Sequence, residues 1–245
     1  MRIFGLIGYP LSHSFSKSYF ERKFEKEGLD DCRFENFSIS SISDLINQVI
    51  PSNPGLEGVA VTIPYKQAVL PFLHSVDGIP EGLRACNCIK IKEDKLAGFN
   101  TDYIGFQESF KTGLRPHHKQ ALVLGNGGAT ASVIFVLQRM GIAYKIVSRQ
   151  LHNGSDYVYE EITGDIIKQY PLIINTTPLG MYPNTDTCPP LLYNAISSQH
   201  YLYDLVYNPE LTLFLQKGKE KGAAVKNGAD MLVIQAEENW RIWNS

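Results

Sequence analysis

The sequence has no apolar run of about eighteen residues, the length that a membrane-spanning helix needs, so no membrane span is expected. Its first ten residues carry one basic residue and are interrupted by Gly5, Gly8 and Pro10, which predicts a strand and a turn instead of a signal peptide. The few cysteines lack the paired spacing of a zinc site, and they are Cys32, Cys86, Cys88 and Cys188. We therefore expect reduced thiols in a cytoplasmic protein.

The sequence also lacks a large excess of positive or of negative charge. The 23 Lys and Arg residues nearly balance the 25 Asp and Glu residues, and the net charge of −2 argues against a broad surface for nucleic acid or anionic membrane. No internal repeat or low-complexity tract is visible. A chain of 245 residues with 44% hydrophobic residues can bury a sizeable core in one or two domains. We therefore expect neither nucleic acid nor membrane as a partner.

The first hundred residues alternate strand-like and helix-like patterns. Residues 3–7 predict a strand, and Ser14 or Ser16 is suited to cap a helix that ends at Gly28. Further predicted elements are a helix at 44–50 closed by Pro51, a strand at 56–63, a helix at 66–73, and a hairpin of 86–92 and 96–99. Strands separated by helices imply a mainly parallel sheet.

A second unit is predicted to begin near residue 102 with a helix that contains Ile104, Phe106 and Phe110. A strand at 121–124, a helix to Met140 and a strand at 143–147 then form a βαβ unit. The remaining predicted elements are strands at 172–174 and 201–204 and a final helix at 227–243.

A glycine cluster separates the first strand of this βαβ unit from its helix. Glycines let the backbone approach phosphate groups, and a helix N-terminus offers free N–H donors and a positive dipole. The alternative is a mere tight turn, since Thr130 occupies the last glycine position of the dinucleotide-binding pattern, but the strand–loop–helix–strand context favours phosphates. The predicted cofactor-binding residues of the loop are Gly125, Asn126, Gly127, Gly128 and Ala129.

The end of the second strand indicates which dinucleotide binds. An NAD site usually carries an acidic residue there, about 20 residues past the glycines. This strand ends instead in Ser148 and Arg149, and the planar guanidinium suits a 2′-phosphate. A solvated surface arginine is the alternative. We predict NADP as the cofactor, with Ser148 and Arg149 among its contacts.

Hydride delivery to a ketone leaves an alkoxide that needs a proton, so a donor is required near the carbonyl. Lys66 follows a predicted strand end, and Asp102 stands at a strand-to-helix corner. From the pattern alone, either residue could equally be a surface charge or a helix cap. No metal is required for this chemistry.

Several segments resemble, in order, the motifs of the shikimate dehydrogenase family. These segments are 8–16, 61–66, 85–88, 98–105, 175–181, 204–209 and 227–236, together with the glycine loop. The resemblance implies that Lys66 and Asp102 are catalytic and that Leu205 and Gly228 lie against the nicotinamide end of the cofactor. The implied substrate-binding residues are Ser14, Ser16, Thr62, Asn87, Asp102, Tyr207 and Gln235. His13 is expected to be a structural hydrogen-bonding residue and not a metal ligand.

The implied activity is the reversible NADPH-dependent reduction of 3-dehydroshikimate to shikimate, in chorismate and aromatic amino-acid biosynthesis. The implied fold is α/β. An N-terminal α/β substrate-binding domain at 1–103 is joined by a C-terminal helix at 228–245, and residues 104–227 form a Rossmann-like doubly wound NADP-binding domain. A cleft between the domains is expected to close around the ligands. The protein is expected to be a cytoplasmic monomer or homodimer.

The chain departs from the family pattern at several positions. These are Lys17 for a proline, Ala60 for an asparagine, Arg84 for a glycine, Cys86 and Cys88 for valine and threonine, and Ser148 and Gln150 for asparagine and threonine. They leave two alternatives open. One is a quinate/shikimate dehydrogenase of relaxed specificity that uses NAD, and the other is a non-catalytic ligand-binding paralogue. The presence of both Lys66 and Asp102 argues against the second.

Overall fold

The computed structural model describes residues 1–11, 14–151 and 154–245 and consists of two compact units. Unit 1 comprises Met1–Thr101 and Gln235–Ser245, and unit 2 comprises Asp102–Ile234. Within the described residues, the strands form two six-stranded sheets, one in each unit. The prediction for His13 concerns a residue outside the described part of the chain.

Unit 1 is built on a mixed sheet. Its strands are β1 (Arg2–Gly8), β2 (Cys32–Ser38), β3 (Leu56–Val61), β4 (Ser75–Gly78), β5 (Cys88–Lys92) and β6 (Lys95–Phe99), in the order β2-β1-β3-β5-β6-β4. Strand β1 is parallel to β2 and β3, whereas β5 is antiparallel to β3 and β6. Three of the five strand pairings are parallel, so the sheet is mainly parallel as predicted, and β5 is the antiparallel exception. The cause is the β5–β6 hairpin, whose turn residues Glu93 and Asp94 both have positive φ, at 50° and 58°.

The first helix, α1 (Phe15–Glu27), begins and ends where the sequence predicts. The Ser14 hydroxyl caps it by accepting a hydrogen bond from the Lys17 N–H at 3.1 Å, and Gly28 ends it in the left-handed conformation with φ of 66°. Ser16 lies inside the helix, so of the two serines predicted as candidate caps Ser14 is the cap.

Two short helices differ from their predictions, and each of them contains a proline. The helix expected at 44–50 is a π-helical turn at Leu45–Val49 that continues as α2 (Ile50–Ser52). Pro51 does not close it, because proline is tolerated in the first turn of a helix, where its missing N–H is not needed. The helix expected at 66–73 divides into α3 (Tyr65–Ala68) and a 3₁₀ turn at Leu70–Phe72 that contains Pro71.

Unit 2 contains an all-parallel sheet of Rossmann type. Its strands are β7 (Gln120–Leu124), β8 (Ala143–Ser148), β9 (Tyr157–Val158), β10 (Leu172–Asn175), β11 (Tyr201–Asp204) and β12 (Ala224–Lys226), in the order β12-β11-β10-β7-β8-β9. Its helices are α4 (Asp102–Phe110), α5 (Gly128–Arg139), α6 (Gly164–Gln169), α7 (Leu213–Glu220) and the start of α8 (Ala229–Trp243). The strand order reverses between β7 and β10, which is where dinucleotides bind in such sheets.

The borders of the compact units lie a few residues from the sequence-based domain borders at 103 and 228. Helix α4 is continuous from Asp102, and its second residue, Tyr103, packs edge-on against Phe135 of α5. Near the C-terminus, α8 begins at Ala229 and crosses from unit 2 to unit 1. Met231 belongs to the buried core of unit 2, so the start of α8 is counted with that unit.

The far end of α8 belongs to an aromatic cluster of unit 1, formed by Phe4, Phe20, Phe24, Phe34, Trp240 and Trp243. The Trp243 ring stacks on Phe4 with centroids 5.2 Å apart, and its Nε1–H donates to the Ile89 carbonyl at 3.0 Å. A Cβ atom at Gly58 would lie 2.3 Å from the Trp243 ring, so only glycine leaves room for the indole. The cluster thereby fixes the last turns of α8 on the sheet of unit 1.

Candidate active site

The glycine loop of unit 2 joins the carboxyl end of β7 to the start of α5. Gly125 has φ of 106°, a conformation that favours glycine, and a Cβ atom there would lie 2.8 Å from Thr176 Oγ1. At Gly127 and Gly128, by contrast, a Cβ atom would meet nothing within 4 Å. The backbone at the start of α5 is therefore open to the close approach of an anion, as an anion site requires.

Thr130, which replaces the last glycine of the pattern, ties this loop to the sheet. Its hydroxyl accepts from the Gly127 N–H at 3.0 Å and lies 2.9 Å from the hydroxyl of Thr176, which donates to the Leu124 carbonyl at 2.8 Å. Thr130 is buried, so these bonds are shielded from water. The threonine at this position thus connects the loop to the ends of β7 and β10 by hydrogen bonds.

A cleft of about 410 Å³ opens at the carboxyl ends of β7, β8 and β10, at the reversal of strand order. The residues that line it are Gly125, Asn126, Gly127, Ser148, Arg149, Tyr159, Thr176, Thr177, Pro178 and Leu179. Five of the predicted cofactor residues are among them, and none of the lining residues within the described part of the chain is a carboxylate. Gly128 and Ala129 form the first turn of α5 instead. The cleft fits a dinucleotide phosphate group beside an arginine.

Ser148 and Arg149 differ in how they meet this cleft. Arg149 is exposed, whereas Ser148 is buried and its hydroxyl donates to the Gln150 carbonyl and bonds with the Ser155 hydroxyl at 2.9 Å. The Ser148 hydroxyl shapes the loop that follows β8, and Arg149 is the charged group at the cleft. The sequence did not assign the wall residues 176–179 a role, although they follow a strand end within a segment that resembles the family.

The predicted nicotinamide-end residues, Leu205 and Gly228, lie against each other. A Cβ atom at Gly228 would be 2.3 Å from the Leu205 carbonyl oxygen, so glycine is required for this close approach. The Leu205 N–H donates to the Asn175 carbonyl at 3.0 Å, and the Gly228 N–H donates to the Val206 carbonyl at 3.3 Å. The structure therefore brings the two residues together at the carboxyl ends of β10 and β11.

Asp204 organises the same edge of the sheet from within. Its carboxylate accepts hydrogen bonds from the Asn175 side chain at 2.9 Å, the Val206 N–H at 3.0 Å and the Thr212 hydroxyl at 2.6 Å. Burial raises the pKa of the Asp204 carboxyl to about 6, against the lowering effect of these three donors. The carboxyl is fully buried and was not singled out from the sequence.

This raised pKa predicts a pH-dependent stability. The native carboxyl binds a proton more tightly than the unfolded one, so its stabilising effect is complete below about pH 4 and is lost as pH rises through 6. Each tenfold step in proton affinity corresponds to about 1.4 kcal/mol, which gives a loss of about 3 kcal/mol by pH 7. Asp204→Asn removes this titration and keeps an acceptor for Val206. We expect the variant to gain stability relative to wild type between about pH 4 and pH 7, measured by urea unfolding. A constant difference across that range would contradict the assignment.

In unit 1, Asn87 is held by a buried network. The Thr101 N–H donates to Asn87 Oδ1 at 2.6 Å, and Asn87 Nδ2 donates to Thr101 Oγ1 at 2.9 Å and to Gln235 Oε1 at 3.0 Å. The Thr101 hydroxyl in turn donates to Asn239 Oδ1 at 2.7 Å. The predicted substrate residues Asn87 and Gln235 are thus brought together. Thr101 and Asn239 were missed, since only a contact distant in sequence reveals their part.

Lys66 and Thr62 lie just beyond the carboxyl end of β3. The Thr62 N–H donates to the Ile7 carbonyl at 2.9 Å, and Lys66 is the second residue of α3. The Lys66 carbonyl accepts from the Cys86 N–H at 2.7 Å, immediately before Asn87. The backbone of the predicted catalytic lysine is therefore fixed to the segment that carries a predicted substrate ligand.

Of the two serines, Ser14 has a defined partner. Its oxygen accepts from Lys17, which leaves the hydroxyl proton free in principle to donate to an anion. Lys17 replaces a family proline that would lack this N–H, and its ammonium forms an ion pair with Glu35 at 3.2 Å. Lys17 thus supplies a capping hydrogen bond that the family proline could not make. Ser16 is half-buried in the first turn of α1.

The remaining predicted residues belong to unit 2. Asp102 is the buried first residue of α4, and Tyr207 follows β11 with about a third of its surface exposed. Burial raises the pKa of the Tyr207 phenol, so this side chain is neutral at physiological pH.

None of the helices described is long and apolar enough to cross a membrane. Over residues 1–11, 14–151 and 154–245, no three His, Cys, Asp or Glu side chains converge as metal ligands. The four cysteines are free thiols.

Taken together, an all-parallel sheet with a glycine loop at its strand-order reversal defines a Rossmann-type nucleotide-binding protein, here with a second α/β unit. The family model for the shikimate dehydrogenase substrate binding domain matches residues 6–89. The NADP(+) shikimate dehydrogenases of Clostridium beijerinckii and Caldicellulosiruptor saccharolyticus are 37% and 32% identical to this chain, over 98% and 97% of its length and 92% and 90% of theirs. The chain belongs to the shikimate dehydrogenase family.

A solved structure supports the same conclusion. The shikimate 5-dehydrogenase of Thermus thermophilus, in complex with NADP(H) and shikimate, superposes with a TM-score of 0.86 at 29% identity, covering 99% of this chain and 93% of that one. The predicted fold class is thereby confirmed.

Proposed function

We propose that this protein catalyses the reversible NADPH-dependent reduction of 3-dehydroshikimate to shikimate, an oxidoreductase step of chorismate and aromatic amino-acid biosynthesis. The observation that carries the proposal is the cleft at the strand-order reversal, with a glycine loop and Arg149 on its walls and no carboxylate, in a chain whose relatives are NADP-dependent shikimate dehydrogenases. Unit 1 contains the segment that matches the substrate-binding model.

The cleft residues fit NADP by their chemistry. The open backbone at Gly127 and Gly128, at the start of α5, suits the pyrophosphate, and the Arg149 guanidinium suits the 2′-phosphate. A carboxylate that would bind unmodified ribose hydroxyls is absent from the lining residues. When bound, the cofactor supplies the hydride in the reductive direction and accepts it in the other.

On the substrate side, the proposed ligands are neutral hydrogen-bonding groups that suit a small carboxylate with several hydroxyls. Asn87 and Gln235 meet in one buried network, and Ser14 stands at the start of a helix, where an anion is favoured. Buried partners of this kind reject a substrate analogue that lacks a hydroxyl, because the protein groups are then left unpaired. We assign substrate binding to Ser14, Ser16, Thr62, Asn87, Asp102, Tyr207 and Gln235.

Proton transfer is assigned to Lys66 and Asp102. In the reductive direction the Lys66 ammonium gives a proton to the oxygen of the former ketone, and in the oxidative direction the neutral amine takes it back. Asp102 is assigned to accept a hydrogen bond from a substrate hydroxyl. A cytoplasmic location and a monomeric or homodimeric state stay predictions from the sequence.

The test is an assay of NADP reduction with shikimate, repeated with NAD and with quinate. We expect turnover with shikimate and NADP and a lower kcat/KM with either replacement. Shikimate binding without turnover would instead identify a ligand-binding paralogue. Comparable kcat/KM values with quinate and NAD would identify an enzyme of relaxed specificity.

Cofactor preference gives a sharper prediction. A charge-assisted hydrogen bond contributes about 1.5–3 kcal/mol, which is about one to two decades in affinity. We therefore expect Arg149→Ala to lower kcat/KM for NADP by about 10- to 100-fold and to leave the value for NAD nearly unchanged. The control is Lys168→Ala, which removes an exposed cation of the same unit that pairs with Asp165. Equal losses for both cofactors would mean that Arg149 does not bind the 2′-phosphate.

A further inference from the structure

Tyr159 stands next to Arg149 at the edge of the cleft. Strands β8 and β9 pair in parallel with Val147 opposite Tyr157 and Ser148 opposite Val158. The next residue after each of these strands is Arg149 and Tyr159, respectively, and both residues line the cleft. The Tyr159 side chain is only 7% exposed, because its ring belongs to the buried core on that side of the sheet.

The Tyr159 hydroxyl has no hydrogen-bond partner among the described residues. A buried polar group without a partner is rare in native proteins, and in a residue that lines a ligand cleft it is explained by an acceptor on the ligand. Burial raises the pKa of Tyr159 to about 12, against the lowering effect of the Arg149 charge, so the phenol keeps its proton at physiological pH. The Tyr159 hydroxyl is therefore a hydrogen-bond donor next to the Arg149 guanidinium.

The hydroxyl groups of the other lining residues already donate hydrogen bonds to acceptors within the protein. Ser148 donates to the Gln150 carbonyl, Thr176 to the Leu124 carbonyl at 2.8 Å, and Thr177 to the Asn175 side chain at 2.6 Å. Of the described residues that line the cleft and carry a hydroxyl, Tyr159 is the one whose hydroxyl has no acceptor for its proton.

We propose that the Tyr159 hydroxyl determines cofactor specificity by donating a hydrogen bond to the 2′-phosphate beside Arg149. The proposal rests on the proposed function, since it needs NADP as the cofactor. A phosphate oxygen held by the guanidinium is a strong acceptor for a neutral O–H donor. The unmodified ribose of NAD places no anion next to this residue.

Tyr201 provides a matched control within the chain. Its hydroxyl is likewise buried and lacks a partner in the described part of the protein. Tyr201, however, begins β11 at the amino end of the sheet and is not a lining residue of the cleft. If an unpaired phenol were only a packing defect, the two tyrosines would behave alike.

The experiment compares Tyr159→Phe with Tyr201→Phe by titration calorimetry with NADP, NAD and 2′-AMP. We expect Tyr159→Phe to weaken NADP and 2′-AMP about tenfold, the scale of one charge-assisted hydrogen bond, and to change NAD less than about twofold. Tyr201→Phe should change none of the three. Both variants should unfold at or above the wild-type temperature without ligand, because each removes an unpaired buried donor.

Unchanged NADP affinity in a folded Tyr159→Phe protein would overturn the inference, as would equal weakening of NADP and NAD. Failure of the proposed function is distinguishable, because it would appear in the wild type as a lack of turnover with shikimate and NADP. As a second measurement, Arg149→Ala combined with Tyr159→Phe should lose less affinity than the sum of the single losses, since both groups bind one phosphate. Strict additivity would assign them to different groups of the cofactor and would count against the proposal.

Discussion

Replacement of Lys66 by alanine is expected to lower kcat for shikimate oxidation by about 10²–10⁴-fold, the usual effect of removing a positioned proton donor or acceptor. The KM for shikimate should change much less, because neutral groups carry most of the substrate binding in the proposed site. Steady-state kinetics in both directions measures this separation. The backbone of Lys66 bonds to Cys86 through its carbonyl, which alanine preserves, so the variant should fold normally.

The control is Lys95→Ala, which removes an exposed lysine of the same unit from β6 and should leave kcat unchanged. Circular dichroism establishes that each variant is folded. Wild-type turnover by folded Lys66→Ala would show that Lys66 takes no part in the mechanism and is only a surface charge.

Replacement of Trp243 by alanine is expected to destabilise the protein by about 3–5 kcal/mol, the range for truncating a buried aromatic side chain. The indole is 3% exposed, it stacks on Phe4, and its Nε1–H satisfies the Ile89 carbonyl. Removal leaves a cavity and an unpaired carbonyl. Urea unfolding followed by circular dichroism measures the change in free energy.

Val233→Ala serves as the comparison on the same helix, because Val233 is 39% exposed and its truncation should cost less than about 0.5 kcal/mol. Similar losses for the two variants would show that the helix and not the aromatic cluster determines stability. Trp243→Phe should fall between them, since it keeps the stacking and loses the hydrogen bond.

Features with local causes could be predicted from the sequence. The cap of α1 depends on Ser14 and Gly28 alone, and the β5–β6 hairpin depends on two turn residues. The parallel sheet of unit 2 also followed, because alternating strands and helices leave few other arrangements. In each case a short segment carries its own signal.

Features that depend on distant pairing could not be predicted. The antiparallel position of β5 beside β3 is fixed by partners that lie about 30 residues apart, and β9 is too short, at two residues, to show a pattern. Tyr159 was missed because it follows β9. Asn239 resembles any polar residue on a helix until Thr101 is found to donate to it.

The residues of the candidate site also divide into those with a local sequence signal and those without one. The glycine loop and Arg149 could be found from pattern and chemistry, and the structure gathers them in one cleft. Lys66 and Asn87 could be found only through the family resemblance, because a lone lysine or asparagine carries no spacing signal. The roles of these residues stay predictions until the variants are measured.

The aromatic cluster of unit 1 also gives the protein an internal optical probe. The chain has two tryptophans, Trp240 and Trp243, and both belong to this cluster. Tryptophan emission excited apart from tyrosine therefore reports the environment of unit 1 alone, whereas far-ultraviolet dichroism sums over both units. If the two units melt separately, the emission and dichroism curves will have different midpoints. Coincident curves will mean that the whole chain unfolds as one cooperative body.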